Sequence, residues 1–298
     1  MQAQIYAVVC NSVLRKIISA DFFTAVPPAA VSRLKTVGSD EPEANAEWLL
    51  AYALGVSRTW VLANGFENVP AEKQIQFESF LVRKERGEPL SHIVGFQPFC
   101  GLDIRVTPDV LTPRPETEDL VEQVSSCFDK KDRYAFLDMC TGSGCIALAL
   151  ARNFPNAQVL AVDKSEAALK VAQENAREHR LTERVHFLQS DLWENVMGTF
   201  DLIISNPPYI PTADLATLTR EVQHEPRLAL DGGADGFEIT RPLCEAADGY
   251  LNPGGLLALE LCKGQPWPLA RGLMEIGWQA EVKKDIFNIE RFVFARKI

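Results

Sequence analysis

From residue 134 onward, short runs rich in apolar residues alternate with longer stretches whose apolar positions recur every three or four residues. The short runs are Ala135 to Met139, Gln158 to Val162, Val185 to Gln189, Leu202 to Ser205 and Leu256 to Leu261. They predict strands, and the stretches between them predict helices at about 144–153, 165–179, 238–250 and 267–276. Such alternation is the pattern of a parallel sheet covered by helices on both faces. Gln279 to Lys283 and Arg291 to Ala295 predict two last strands, so the sheet is expected to finish in an antiparallel hairpin.

Upstream the pattern differs. Ala46, Leu49, Leu50, Ala53 and Leu54, and again Ile75, Phe80 and Leu81, have helical spacing, with Pro27-Pro28, Gly38, Gly55 and Gly65 as breaks. Residues 1–88 are therefore expected to form a helical domain without catalytic spacing, used for recognition or packing. Residues 89–113 change to short apolar pieces with an alternating Leu102, Ile104, Val106 face, which predicts a hairpin linker. The prolines of Leu111-Thr112-Pro113-Arg114-Pro115 oppose ladder bonding, and Glu116, Thr117 and Glu118 precede Leu120, Val121 and Val124. A loop running into a helix is expected there, opening a domain over 114–298.

Composition narrows the class. With 298 residues and 47% hydrophobic content, the chain can fill a sizeable core. A net charge of −10 argues against non-specific adhesion to phosphate backbones or anionic membranes. The apolar start from Ile5 to Leu14 is short, lacks a preceding basic segment and contains Asn11 and Ser12, so a cytoplasmic protein without anchor or signal is expected. Seven scattered cysteines with no Cys-x-x-Cys spacing predict free thiols, and the four histidines share no ligand spacing, so no metal is expected.

The chemistry lies at the strand ends. The first predicted strand leads into Cys140-Thr141-Gly142-Ser143-Gly144, a turn whose glycines admit a ligand close to the backbone before a helix start with free amides. The second closes on Asp163, placed to accept ribose hydroxyls, although it could equally cap the helix near Ser165. A dinucleotide site would carry a third glycine that this turn lacks. The third closes on Asp191-Leu192-Trp193, where a carboxylate can meet an adenine amino group and an apolar neighbour its ring. Open parallel sheets bind ligands at these carboxyl ends, near the point where strand order reverses.

The fourth strand closes on Asn206-Pro207-Pro208-Tyr209, the sharpest signal in the chain. A specified tetrapeptide of this kind arises by chance about once in 1000 chains of this length. Two prolines hold an extended backbone that offers carbonyls and no amide donors. A planar NH2 group can donate to the Asn206 side-chain oxygen and the Pro207 carbonyl while Tyr209 stacks on its plane. Anchoring both N–H groups aims a weakly nucleophilic nitrogen at a methyl donor, so positioning and polarisation carry the catalysis.

Residues 85–298 resemble the release-factor glutamine methyltransferases. The resemblance rests on Glu88-Pro89-Leu90, Pro113 to Glu118, Thr141 to Gly144, Asn206 to Ile210, Glu225-Pro226 and Leu230-Asp231-Gly232-Gly233. It implies a Rossmann-like class I α/β fold with a seven-stranded, mostly parallel sheet and a small helical N-terminal domain that helps hold the substrate. It also implies transfer of a methyl group from S-adenosylmethionine, leaving S-adenosylhomocysteine, to the glutamine side-chain nitrogen in the Gly-Gly-Gln motif of peptide chain release factors. The cofactor would contact Cys140 to Gly144, Asp163, Asp191, Leu192 and Asn206. The acceptor would meet Asn206 to Tyr209, with Asn206, Pro207 and Tyr209 carrying catalysis. Cys140 and Cys262 stand where that family often has glycine.

Other readings share parts of this pattern. A sister family that methylates a glutamine of a large-subunit ribosomal protein has the same Cys-Thr-Gly-Ser-Gly-Cys turn and Asn-Pro-Pro-Tyr loop; Glu116 and Ile289-Glu290-Arg291-Phe292 favour release factors. Adenine-N6 methylation of nucleic acid would want a basic groove, and residues 1–88 hold no dense Lys/Arg cluster, so no direct nucleic-acid binding is expected. A cofactor-binding module without activity would have little reason to place Asn206 before two prolines.

Overall fold

Helical spacing governs the first stretch of the chain. The computed structural model describes residues 25–66 and 69–297, and the chain divides into two units between Val94 and Gly95. The apolar start at Ile5 to Leu14 lies outside the described residues. The first unit holds α1 (Pro28–Thr36), α2 (Pro42–Leu54), α3 (Arg58–Asn64), α4 (Ala71–Glu85) and the short α5 (Leu90–Val94). Prolines open α1 and α2, where a missing N–H costs nothing, and Gly55 ends α2 in the left-handed conformation. Leu34, Leu49, Leu50, Val61, Phe77 and Leu81 form its core. Arg33 ties α1 to α4 through Glu78 and Glu85, at 2.7 Å each.

The second unit begins with a hairpin, β1 (Phe96–Phe99) and β2 (Leu102–Arg105), whose antiparallel register pairs Phe96 with Arg105. Leu102 and Ile104 point into the core and Asp103 and Arg105 to solvent, as the alternation requires. Helix α6 (Pro115–Ser125) follows, with Pro115 in its first turn. Then come β3 (Ala135–Met139), α7 (Cys145–Asn153), β4 (Gln158–Asp163), α8 (Glu166–Glu178), β5 (Val185–Gln189) and β6 (Phe200–Ser205). A connection containing three short 3-10 turns leads to α9 (Thr240–Ala247), β7 (Leu251–Glu260), α10 (Pro266–Glu275), β8 (Trp278–Lys284) and β9 (Glu290–Lys297).

The seven strands β3 to β9 form one sheet in the order β5-β4-β3-β6-β7-β9-β8. The first five run parallel, while β9 pairs antiparallel with both β7 and β8. Apolar clusters fill both faces: α6 and α7 cover one side with Phe136 and Leu202, while α9 and α10 cover the other with Leu137 and Ile203. Neighbouring residues of a strand face opposite layers, which is why these strands read as continuous apolar runs. Strand order reverses between β3 and β6, so a crevice opens there at the carboxyl ends. Trp278 is buried, and Trp60 and Trp267 are each 44% exposed. Among the described residues, the six cysteines are free and no helix is long and apolar enough to cross a membrane.

Candidate active site

The crevice at the strand-order reversal is a cavity lined by the ends of β3, β4, β5 and β6 and by the segments 109–114 and 226–231. One end is built by local bonds. Asp138, fully buried in β3, accepts from the Thr141 hydroxyl at 2.5 Å and the Ala147 amide at 3.1 Å, so it braces the turn and the first turn of α7 together. Burial pushes its carboxyl up to about 7 against the pull of these bonds. Gly144 has φ +80°, and a Cβ there would meet the Ala172 Cβ at 3.0 Å, so only glycine lets α7 start this close to α8.

Cys140, where the family often has glycine, has φ 61° and so carries a side chain in the left-handed region that glycine occupies freely. Cys262 is not among the positive-φ residues, so its backbone makes no such demand. Asp163 accepts the Gly142 amide on one oxygen and the Ser165 amide on the other, at 2.8 Å each. It thus braces the glycine turn as well as the start of α8, whose N-cap is Ser165. Each oxygen retains a second lone pair, enough to accept a diol. Asp191 pairs with Lys164 at 2.5 Å, both well exposed, and Leu192 lines the cavity from a left-handed position, φ 49°. Trp193 does not line it; its ring stacks on Tyr250 at 4.2 Å.

The other end is assembled from distant segments. Asn206 lies at the cavity wall, and its side-chain nitrogen donates to the Thr117 hydroxyl at 3.1 Å. Thr117 in turn donates to the buried Glu260 carboxylate at 2.8 Å. Arg114 and the Thr112 amide both bond to Glu225, at 2.6 and 3.1 Å, which fastens the proline segment to the connection after β6. Ile210 accepts the Gly232 amide at 2.8 Å and donates to Leu230 at 2.9 Å. A Cβ on Gly232 would lie 2.8 Å from the Tyr209 backbone, so the glycine permits this close approach. Gln265 donates to the Tyr209 carbonyl at 2.9 Å and accepts the Cys262 amide.

The structure therefore brings to one cavity Cys140, Thr141, Gly142, Ser143, Asp163, Asp191, Leu192, Asn206 and Pro208. Gly144, Pro207 and Tyr209 are not among the residues that line it; Pro207 is buried and Tyr209 half-buried. Burial pushes the Tyr209 phenol well up, with Glu260 adding to the effect and Arg291 opposing it. Two contributors were not visible in sequence. Glu260 looked like an ordinary strand end. Asn175, fully buried on α8, accepts the Arg105 amide and donates to the Arg105 and Ser143 carbonyls, joining the hairpin to the glycine turn. A lone asparagine on the apolar face of a predicted helix was the available signal for it.

Fold and strand-end residues define an S-adenosylmethionine-dependent methyltransferase of class I. The Methyltransferase small domain family matches residues 120–270 and the PrmC N-terminal domain family residues 29–95. The chain is 46% identical to the release factor glutamine methyltransferase of Moorella thermoacetica, over 79% of this chain and 84% of that one. It is 40% identical to that of Caulobacter vibrioides, over 90% and 94%. Among solved structures, a methyltransferase from Pyrococcus furiosus shares the fold, with a TM-score of 0.50 and 24% identity over 66% of this chain and 90% of that one. The chain belongs to the release factor glutamine methyltransferase family.

Proposed function

We propose that this chain methylates the side-chain amide nitrogen of the glutamine in the Gly-Gly-Gln motif of peptide chain release factors, in the cytoplasm, using S-adenosylmethionine. The observation that carries the reading is the state of Asn206: its nitrogen is engaged by Thr117, so its oxygen remains the acceptor at the cavity. A glutamine amide brings N–H donors to that oxygen, matching donor to acceptor.

The cavity suits the cofactor. Asp163 keeps acceptor capacity for a ribose diol, Val162, Ile146, Ala168 and Leu192 offer an apolar wall, and the carboxylates favour a cation over an anion. When bound, S-adenosylmethionine supplies an electrophilic methyl on sulfur and leaves as the thioether. The chain's part is to place the amide nitrogen in line and hold its hydrogens, so that a nitrogen–carbon bond forms as the carbon–sulfur bond breaks. The nitrogen then releases one proton to water, and no side-chain base is needed.

The test offers methyl-labelled S-adenosylmethionine and, separately, an unmethylated release factor, large-subunit ribosomal proteins and duplex DNA. Label on the release factor is the expected result. Label confined to a ribosomal protein would keep the chemistry and move the acceptor, and label confined to DNA would overturn the reading.

A further inference from the structure

Asn206 has two chemically opposite ends, and the proposed catalysis works with only one of them turned to the acceptor. Its amide could be rotated by half a turn with almost no change in shape, which would present NH2 to an NH2 and forbid the bond. Something must therefore select the rotamer. Thr117 sits in the first turn of α6, 3% exposed, with its hydroxyl between the Asn206 nitrogen and the Glu260 carboxylate. An ionised carboxylate accepts only, and a hydroxyl has one hydrogen. Glu260 takes that hydrogen, leaving the Thr117 oxygen a lone pair and nothing to donate toward Asn206. Only the Asn206 nitrogen can satisfy it.

We infer that Thr117 and Glu260 are positioning residues that orient the Asn206 carboxamide, so that its oxygen, and not its nitrogen, meets the acceptor amide. This rests on the proposed role of Asn206. It gives Thr117 a task that neither helix propensity nor packing explains, since α6 would form as well with an apolar residue facing the core.

Protonation of Glu260 removes the constraint, because its hydroxyl can then donate to Thr117 and free the threonine hydrogen for the Asn206 oxygen. The groups that set this proton are Thr117 and Glu116 on α6, Arg291 on β9, Asp285 in the turn before β9 and the Tyr209 phenol. Burial, with Glu116 and Asp285 adding to it, raises the Glu260 carboxyl to about 7, while Thr117 and Arg291 pull it down. Orientation is thus held above that pH and lost below it.

Thr117→Val keeps the shape and removes the hydroxyl, while Thr117→Ser keeps the hydroxyl. The valine variant is expected to lower kcat by about 10- to 100-fold, with KM for the release factor and Kd for the cofactor changed by less than about 3-fold. The serine variant should restore most of that loss. The nitrogen-15 signal of the Asn206 side chain, identified by its absence in Asn206→Ala, should shift in the valine variant and not in the serine one. In the wild type, free of cofactor, it should pass through one transition as pH falls past about 7.

Wild-type kcat in Thr117→Val, no rescue by serine, or an Asn206 signal blind to both substitution and pH would overturn the inference. If the valine variant does not fold, the serine variant and the wild-type titration decide. An active Asn206→Ala would instead remove the role of Asn206 itself. An inactive Asn206→Ala beside a fully active Thr117→Val would remove only the relay.

Discussion

The two ends of the cavity are built in different ways. At the cofactor end most bracing bonds are short-range: Asp138 to Thr141 and Ala147, and Asp163 to Gly142 and Ser165, join residues at most 21 apart in sequence, and Asn175 adds ties of 32 residues to Ser143 and 70 to Arg105. At the acceptor end Asn206, Arg114 and Thr117 reach partners 89, 111 and 143 residues away. A site held mostly by short-range bonds depends chiefly on consecutive strand–turn–helix units. A site tied across the whole domain exists only when every layer is in place, so damage far from the cavity should reach the acceptor before the cofactor.

The largest expected separation comes from Asn206→Ala. Turnover should fall by about 100-fold or more, as when a single oriented polar group is removed from an active site, while cofactor affinity measured by calorimetry stays within about 10-fold. Normal turnover would remove the basis of the acceptor end. Arg114→Ala comes next. It leaves the buried Glu225 without its charge partner, and because Arg114 is itself 37% exposed the cost should be about 2 kcal/mol, below that of a fully buried pair. Thermal unfolding should shift down by about 4–8 °C, and release-factor KM should rise while cofactor Kd holds. An equal loss at both ends would show that the cavity is one cooperative piece.

Two buried carboxylates, one at each end, sharpen the contrast by pH. Burial raises both Asp138 and Glu260 to about 7. The folded state then binds these protons more tightly than the unfolded chain, so the contribution to stability is complete below about 4 and is lost as pH rises toward 7. Asp138→Asn and Glu260→Gln should each flatten the decline in stability between about pH 4 and 7, followed by urea unfolding. Only Asp138→Asn should weaken cofactor binding, and only Glu260→Gln should change the pH profile of kcat. The smallest effect is expected from Cys140→Gly. Relief of a left-handed side chain, worth about 1 kcal/mol, is offset by lost packing against the core beside β3, so the unfolding midpoint should move by less than about 3 °C.

The same difference explains what could be read from the sequence. The parallel sheet, the closing antiparallel hairpin and the glycine turn follow from periodicity and turn chemistry, both of which act over a few residues. At the acceptor end, Thr117, Glu225 and Asp231-Gly232-Gly233 were visible as motif residues, but not their bonds. Nothing in local spacing says that Thr117 reaches Glu260 or that Gly232 lies against Tyr209. The stacking role expected of Tyr209 depends on a side-chain direction that two prolines do not set, and Tyr209, half-buried, is not among the residues lining the cavity. Glu116 and Arg291, noted separately in sequence, lie 3.8 Å apart beside Glu260.

The most direct test of the central claim is where the methyl group goes. Wild-type protein, S-adenosylmethionine and an unmethylated release factor are incubated, and the Gly-Gly-Gln peptide is fragmented in a mass spectrometer. A single added methyl on the glutamine side-chain nitrogen is expected, because the Asn206 oxygen offers an acceptor for an NH2 group. A methyl on the peptide backbone, on a carboxylate or on any other residue would contradict it.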